Sequence, residues 1–186
     1  VDYTYLPDEI KCNFISLDIL FICLPTDLVL HYKNIFSKFN ILINQIICSS
    51  YTKSINYKDK LNLTNYTSFI DVGFDKTSII SYFNNQILSL EVLPIGGNNI
   101  TKDISKILEI DLEHSEKLKL NFDQNNIVSN NNDFSFETLQ KIIFARTEEI
   151  LELSTKPLDS TLFTTSQFNM VLMGEGSKIL DNQYTN

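Results

Sequence analysis

Apolar positions in the first third of the chain form two short runs on either side of a helical pattern. Residues 16–24 and 41–48 have the length and composition that predict buried strands. Between them, Pro25-Thr26-Asp27 predicts a strand stop, a helix N-cap and an acidic first turn, and Asn40 suits the end of the helix. A strand, a helix and a second strand in this order predict a layered α/β arrangement. The apolar face of the helix would hold Leu28, Tyr32, Ile35 and Phe39.

The pattern changes at residue 66 to short strands joined by tight turns. Residues 66–72, 77–83 and 86–94 have strand-like sequences, and their connections are Gly73-Phe74-Asp75-Lys76 and Asn84-Asn85. Such short connections join neighbouring antiparallel strands. The sequence therefore predicts a three-stranded antiparallel meander.

Two helices are predicted after the meander. The first opens at Gly96-Gly97-Asn98-Asn99, and the second is expected to start at Asp111. Residues 121–133 are rich in asparagine and nearly lack apolar positions, which predicts an exposed, mobile loop. The apolar face of the first helix would hold Ile100, Ile104, Ile107 and Leu108.

A long helix and a last strand complete the pattern. Ser135 is suited to cap the helix, and Arg146 falls within its apolar stripe by spacing. Residues 168–173 predict the strand, after which Gly174-Glu175-Gly176-Ser177 turns sharply, with room for a short helix. The stripe of the long helix would consist of Leu139, Ile143, Ile150 and Leu153.

Composition narrows the class of protein. The chain has 186 residues, 43% of them hydrophobic, which is enough for one full core or two small ones. A formal net charge of -8, with Arg146 as the only arginine, argues against a surface that tracks nucleic-acid phosphates. No apolar run is long enough to cross a bilayer and no secretion signal is visible, so we expect part of a longer cytosolic protein. Its cysteines, Cys12, Cys23 and Cys48, have apolar neighbours typical of reduced, buried thiols.

Three separated sites could carry chemistry. At the first, Asp71 ends a strand and Gly73 opens a turn, so that backbone N–H groups could face an anion while the carboxylate holds a hydrated Mg²⁺. The alternative is a hairpin with a polar turn, which the spacing alone favours.

The other two sites are a charged pair and a glycine turn. Glu116 and Lys119 lie three residues apart on one helical face, where both could reach ribose hydroxyls or a base edge, or could be solvated charges. Gly174 and Gly176 would let backbone lie flat against a ligand, or could form an ordinary strand-to-helix turn.

Taken together and in this order, the three sites resemble the second half of the actin, Hsp70 and sugar-kinase superfamily, and most closely its FtsA family of bacterial cell-division proteins. Residues 70–73 resemble the second phosphate motif, Asp-x-Gly-Gly-Gly-Thr, and residues 93–104 follow the FtsA version of the next segment. Further similar segments are 45–51, 114–119, 145–153 and 170–174.

The resemblance implies a ribonuclease-H-like, actin-type α/β fold, with a mixed sheet flanked by helices, that is incomplete in this chain. Residues 1–60 would hold the end of an FtsA-specific subdomain and the last elements of the first lobe. Residues 61–186 would form the second lobe, with residues 96–165 as its outer subdomain.

The resemblance also implies one half of a nucleotide-binding cleft. Phe74, Asp75 and Lys76 replace the expected Gly-Gly-Thr, and Glu175 replaces a glycine, so efficient hydrolysis is not expected and no catalytic residue is assigned. The first phosphate motif is not in this sequence, and ATP with Mg²⁺ is expected at most in the full-length parent. The implied nucleotide-binding residues are Asp71, Gly73, Phe74, Asp75, Lys76, Gly96, Gly97, Glu116, Lys119, Gly174, Glu175 and Gly176, with Asp71 also the metal ligand.

The function implied by the resemblance is that of an adaptor at the inner face of the cell membrane, at the division site. The parent would self-associate through actin-like contacts, bind the FtsZ tail and reach the membrane through an amphipathic helix not found in this sequence. Arg146 lies where relatives carry an arginine near the FtsZ surface; alternatively, its stem packs on the core while its head meets a nearby glutamate. Other readings are a pilus-assembly scaffold of the PilM type and an active ATPase or kinase that uses Asp71 to place the metal.

Overall fold

The computed structural model describes residue 14 and residues 19–122, 135–158 and 168–179. Within these ranges a sheet is flanked by helices, and its strands run in the spatial order β3-β2-β1-β4. The elements in chain order are α1 (Thr26–Ser37), α2 (Ser49–Leu61), β1 (Thr67–Val72), β2 (Thr77–Phe83), β3 (Gln86–Leu93), α3 (Gly97–Leu108), α4 (Leu112–Leu120), α5 (Phe136–Thr155) and β4 (Asn169–Met173).

The sheet combines an antiparallel meander with one parallel strand. β1, β2 and β3 pair antiparallel, as predicted, and β4 pairs parallel to β1 on the other side. Asn84 and Asn85 have φ angles of 47° and 68°, the left-handed values that a two-residue hairpin turn requires at both positions. The meander and the last strand are therefore confirmed, and the parallel β4 makes the sheet a mixed one.

One face of the sheet packs on α3 and α5. Ile70 and Val72 of β1 project to this face, where they join the buried residues of both helices. Fully burying a side chain of this size contributes about 1.5–3 kcal/mol, so the two apolar stripes hold the helices on the sheet. The helical residues buried in this core include Ile100, Ile104, Leu139, Ile143 and Ile150.

The predicted stripe on α3 is wrong at one position. Ile107 is 58% exposed, although its spacing places it with Ile100 and Ile104. It lines an open groove between α3 and α5 together with Ile142 and Arg146. Leu108, the next residue, packs on the core, so the buried face of α3 is narrower than periodicity alone predicted.

The opposite face of the sheet carries a smaller core and meets α2. Phe69 and Tyr82 pack edge to face, with ring centroids 5.8 Å apart, and Ile80 and Met173 are buried beside them. The hydroxyl of Ser54 on α2 lies 2.8 Å from the Tyr82 hydroxyl, which anchors α2 on this face. Burial raises the pKa of Tyr82.

The two strands predicted in the first third are wrong in the described residues. Residues 19–24 and 41–48 have no regular structure, and their side chains include Phe21 at 78% and Leu42 at 86% exposure. A buried strand needs a neighbouring strand and a covering layer, and neither run has one among the described residues. An apolar run was therefore not sufficient to predict a strand.

The helix between those runs forms as predicted, with different end details. α1 begins at Thr26, so Pro25 rather than Thr26 takes the N-cap position, and Asp27 lies in the first turn. Asn40 follows the helix with a φ of 57°. None of the residues in α1 is buried, and its predicted apolar face is exposed at Leu28, Tyr32, Ile35 and Phe39.

Several local predictions can be checked at the helix ends. Ser135 caps α5 by accepting a hydrogen bond from the Thr138 N–H at 3.2 Å. Asp111 caps α4 by accepting from the His114 N–H at 2.8 Å, and that bond lowers the pKa of Asp111. The loop predicted over residues 121–133 lies outside the described residues except for its first two, of which Phe122 is buried against Phe136.

The thiol prediction holds only in part. Cys23 and Cys48 are both free, but Cys23 is exposed and Cys48 is half-buried, so the burial expected of them is wrong. Cys12 lies outside the described residues.

None of the helices in the described ranges has the length and hydropathy of a membrane-spanning segment. The proposed division at residue 60 and the outer subdomain remain predictions.

A close backbone contact fixes the start of α3 against the turn between β1 and β2. The Gly97 N–H donates to the Gly73 carbonyl at 3.0 Å, and the Asn98 N–H donates to the Phe74 carbonyl at 2.7 Å. A Cβ atom added at Gly96 would lie 2.6 Å from each of these carbonyl oxygens. No side chain fits there, so this glycine is required for space.

We expect Gly96→Ala to destabilise the chain by about 2–3 kcal/mol, because relieving the contact means separating α3 from the turn. Gly97→Ala is the matched control, since its new Cβ would make only ordinary contacts, at 3.5 Å from the Lys119 Nζ and 3.7 Å from the Gly73 oxygen. The control should change stability by less than about 1 kcal/mol. Urea unfolding followed by circular dichroism measures both, and equal losses would contradict the proposed close contact.

Candidate functional site

The bend after β4 lies directly against the end of β1. Gly174 has a φ of +92°, and a Cβ atom added there would lie 2.5 Å from the Asp71 Oδ1 atom and from the Val72 carbonyl oxygen. The Gly176 N–H donates to that same Val72 carbonyl at 3.1 Å. The third predicted site therefore meets the first, and both its glycines are needed for the close approach.

The charged pair on α4 meets the same turn from the other side. The Lys119 Nζ donates to the Gly97 carbonyl at 3.1 Å and lies 5.9 Å from the centre of the Phe74 ring. Gly97 in turn is bonded to Gly73. All three predicted sites thus converge around the turn formed by residues 73–76, and we call the region where they meet the crevice.

Lys119 is committed to protein partners. Its side chain is only 5% exposed, and besides Gly97 it donates to Thr101 Oγ1 at 2.8 Å and to Glu116 Oε2 at 2.7 Å. Three acceptors match the three protons of an ammonium group. In this arrangement Lys119 joins α4 to α3, and a ribose hydroxyl would have to displace one of these bonds.

Glu116 is the more accessible member of the pair. Its side chain is 31% exposed, and it accepts hydrogen bonds from both Lys119 and Thr101. Burial by itself would raise its pKa, but these two bonds and the nearby ammonium bring the pKa of Glu116 below its ordinary value. The carboxylate therefore stays charged well into acid and remains an acceptor for a hydroxyl group.

The turn between β1 and β2 is closed by its own backbone. The Gly73 N–H donates to the Lys76 carbonyl at 2.9 Å, so it does not point toward an anion. The Asp75 carboxylate accepts from the Asn98 side chain at 2.8 Å, and Phe74 is 59% exposed. The bulk and the negative charge that distinguish this chain from the phosphate motif therefore lie on the surface of the turn.

Glu175 lies at the outer side of the bend after β4. It is exposed and accepts a hydrogen bond from Lys178 at 2.5 Å, and a helical turn follows at residues 177–179. Replacing a glycine by Glu175 thus leaves the close approach of Gly174 and Gly176 intact. A role in nucleotide binding stays a prediction for this residue and for the other members of the set.

Lys53 is a residue of this site that the sequence reading missed. Its Nζ atom lies 3.0 Å from both carboxylate oxygens of Asp71. Asp71 is 5% exposed and projects to the same face of β1 as Phe69, which is the face that α2 covers. The available signal was helical spacing, since Lys53 falls three residues after Ser50 and one before Ser54, the two buried residues of α2.

Arg146 lies apart from this crevice, on α5. Its guanidinium binds Asp103 of α3 with two bonds, Nε to Oδ2 at 2.5 Å and Nη2 to Oδ1 at 3.0 Å, and also contacts Glu149. The hydrogen bond with Asp103, helped by both negative charges, raises the pKa of Arg146. The contact with a nearby glutamate is therefore confirmed. A partner-binding role is a separate matter and stays a prediction.

Sequence comparisons relate this chain to a family of known proteins. A sequence model of the family "Cell division protein FtsA" matches residues 68–162. The cell division protein FtsA of Bacillus subtilis (strain 168) is 36% identical over 132 residues, which cover 63% of this chain and 30% of the relative. The chain thus spans less than a third of the curated relative's length.

Solved structures show the same fold at low sequence identity. Ta0583, an archaeal actin homolog in complex with ADP, has a TM-score of 0.57 and 13% identity over 75% of this chain and 48% of its own. The PilM-PilN type IV pilus biogenesis complex has a TM-score of 0.59 and 17% identity over 76% of this chain and 39% of its own. The actin-type fold is confirmed, and because the family model matches just over half of the residues, this chain belongs to the FtsA family of cell-division proteins.

Proposed function

We propose that the longer protein containing this chain is a cell-division adaptor, which self-associates through actin-like contacts, binds the C-terminal tail of FtsZ and tethers it to the inner face of the cell membrane. Membership of the FtsA family supports this proposal. Self-association is further supported by the likeness, with a TM-score of 0.53, to a ParM filament. The membrane contact would come from parts of the protein other than the described residues.

The observation that carries the proposal for this chain is the groove beside Arg146. It has a volume of about 240 Å³ and lies between α3 and α5. It contains one cation between apolar walls, which suits a peptide that offers apolar side chains and a carboxylate. The lining residues are Asp103, Ile107, Ile142, Ala145, Arg146 and Glu149.

The negative charges around the groove restrict which peptides can bind there. Asp103 and Glu149 already occupy the guanidinium, and a neighbouring depression on α5 is lined by Glu148 and Glu152. An acidic tail must therefore displace Asp103 from Arg146, and it must avoid the negatively charged surface at Glu148 and Glu152. Because the groove has one cation, we expect it to bind a tail that places a single carboxylate opposite Arg146 better than a tail with a long acidic run.

For the crevice we propose a remnant of the nucleotide site, with weak ATP binding. Two of the groups expected to hold a nucleotide are already used: Lys119 has three protein partners and Asp71 is paired with Lys53. Asp75 adds a negative charge at the turn where phosphate would approach. The alternative of an active ATPase or kinase requires these contacts to be broken.

The likeness to PilM concerns the fold, and a pilus-assembly scaffold is the alternative adaptor. Both adaptors would use protein partners rather than turnover of a substrate. The partner bound at the groove beside Arg146 distinguishes them, because only the division adaptor is expected to bind an FtsZ tail there.

We expect Arg146→Glu to weaken binding of an FtsZ C-terminal peptide by at least about tenfold, measured by fluorescence anisotropy, because the substitution removes the one cation of the groove. Lys141→Glu is the matched control: it makes the same charge change on the same helix, at a side chain that is 74% exposed and paired with Glu137. Asp103→Asn should tighten binding by about two- to fivefold, because it removes the internal competitor.

These three variants separate the possible results. Equal weakening by Arg146→Glu and Lys141→Glu would show only a general charge effect and contradict the assignment of the groove. A lack of binding by the unaltered chain would favour the pilus scaffold. Circular dichroism on each variant confirms that the helices are retained.

We expect calorimetry with Mg-ATP on this chain to show no binding tighter than about 1 mM, near -4 kcal/mol. The reason is that Lys119 and Asp71 are engaged with protein groups. Restoring the family motif by Phe74→Gly, Asp75→Gly and Lys76→Thr should tighten binding, since it removes bulk and charge from the turn. Micromolar binding by the unaltered chain would contradict the proposal that this crevice is a remnant.

A further inference from the structure

Asp71 is a carboxylate that requires a cation. It ends β1, is 5% exposed, and faces the bend at Gly174, whose close approach shields Oδ1 on one side. A buried carboxylate without a partner is unfavourable, because it has lost its hydration without gaining a compensating charge. The identity of its cation therefore decides how this end of the sheet is held together.

Lys53 supplies that cation from a helix that is itself anchored. Its Nζ atom is 3.0 Å from Oδ1 and 3.0 Å from Oδ2, so a single ammonium is shared between both oxygens. One residue further along α2, Ser54 is completely buried and bonded to Tyr82. Lys58, one turn later, lies 4.9 Å above the Tyr82 ring. The helix thus delivers Lys53 to the carboxylate from a fixed position on the sheet.

A divalent cation does not fit these residues well. Mg²⁺ takes six oxygen ligands and is usually held by one or two carboxylates together with phosphates. No group of three or more His, Cys, Asp or Glu side chains placed to hold a metal occurs in the described parts of the chain. Any dication bound to the Asp71 oxygens would also lie within a few ångströms of the Lys53 ammonium, and the two positive charges would repel each other.

We propose that Lys53 takes the place of a divalent cation at Asp71. The Asp71 carboxylate is then neutralised by the chain itself, and the ion pair fastens α2 to the end of β1 without metal. This inference concerns only the Lys53–Asp71 pair, and it holds whether or not the groove beside Arg146 binds FtsZ.

The test uses Mn²⁺ as a paramagnetic probe on the 186-residue chain labelled with ¹⁵N. Mn²⁺ bound at Asp71 broadens the amide signals of Gly73 and Gly174, which flank the carboxylate, even when occupancy is low. In the unaltered chain we expect no selective broadening of these two signals. In Lys53→Met they should broaden at an Mn²⁺ concentration at least about tenfold lower, and the additional change Asp71→Asn should abolish the effect.

Two further variants serve as controls. Lys58→Met removes a charge from the same helix and should respond like the unaltered chain, because Lys58 contacts Tyr82 and the Asn85 carbonyl rather than Asp71. Lys53→Arg should also respond like the unaltered chain, since it keeps the cation. If Lys53→Met does not fold, Lys53→Gln is measured in its place.

Two results would overturn the inference. One is selective broadening in the unaltered chain that Asp71→Asn removes, because metal would then bind despite Lys53. The other is a folded Lys53→Met or Lys53→Gln that gains no broadening at Gly73 and Gly174, because the lysine would then not be what keeps metal away from Asp71.

Discussion

The contact between the turn at residues 73–76 and the start of α3 is the constraint on which the rest of the crevice depends. Two backbone hydrogen bonds and the missing side chain at Gly96 bring α3 against the end of the β1–β2 hairpin. Lys119 of α4 donates to the Gly97 carbonyl, which joins α4 to the end of α3 that meets the turn. β1 is buried along its whole length and leads directly into the same turn. Asp71 lies near the end of β1 and faces the bend at Gly174. One local backbone geometry therefore places groups from distant parts of the sequence in one crevice.

Positive charge is scarce in this chain, and three of its cations link separate elements of the fold. Fifteen lysine and arginine residues stand against twenty-three aspartate and glutamate residues. Lys53 neutralises Asp71, Lys119 joins α4 to α3, and Arg146 joins α5 to α3. Each of these cations links two different elements, whereas the pairs formed by Lys117, Lys141, Lys156 and Lys178 join side chains only three or four positions apart. Such exposed pairs contribute little to stability, so the three linking cations matter most both for the fold and for any ligand that must compete with them.

The parts of the fold that could be predicted from the sequence are those that local chemistry determines. Two consecutive asparagines defined the hairpin between β2 and β3, and the caps at Asp111 and Ser135 defined where α4 and α5 begin. The residues of the crevice could be predicted only through the resemblance of the motif order to the FtsA family, because their meeting depends on packing between distant segments. Lys53 escaped notice because an 18-residue separation carries no periodic signal and α2 was not read as a helix from its own pattern. The apolar runs 19–24 and 41–48 were misread for the related reason that a strand is completed by its neighbours.

The uncovered helix α1 has a consequence for measurements of assembly. Its apolar side chains, together with those of the flanking segments, are exposed to water, and exposed apolar surface drives non-specific association. Particles of this isolated chain could therefore grow with concentration for reasons unrelated to any actin-like interface. Light scattering or sedimentation would report that growth as polymer, so filament formation by this chain must be judged from a regular subunit repeat in images rather than from size.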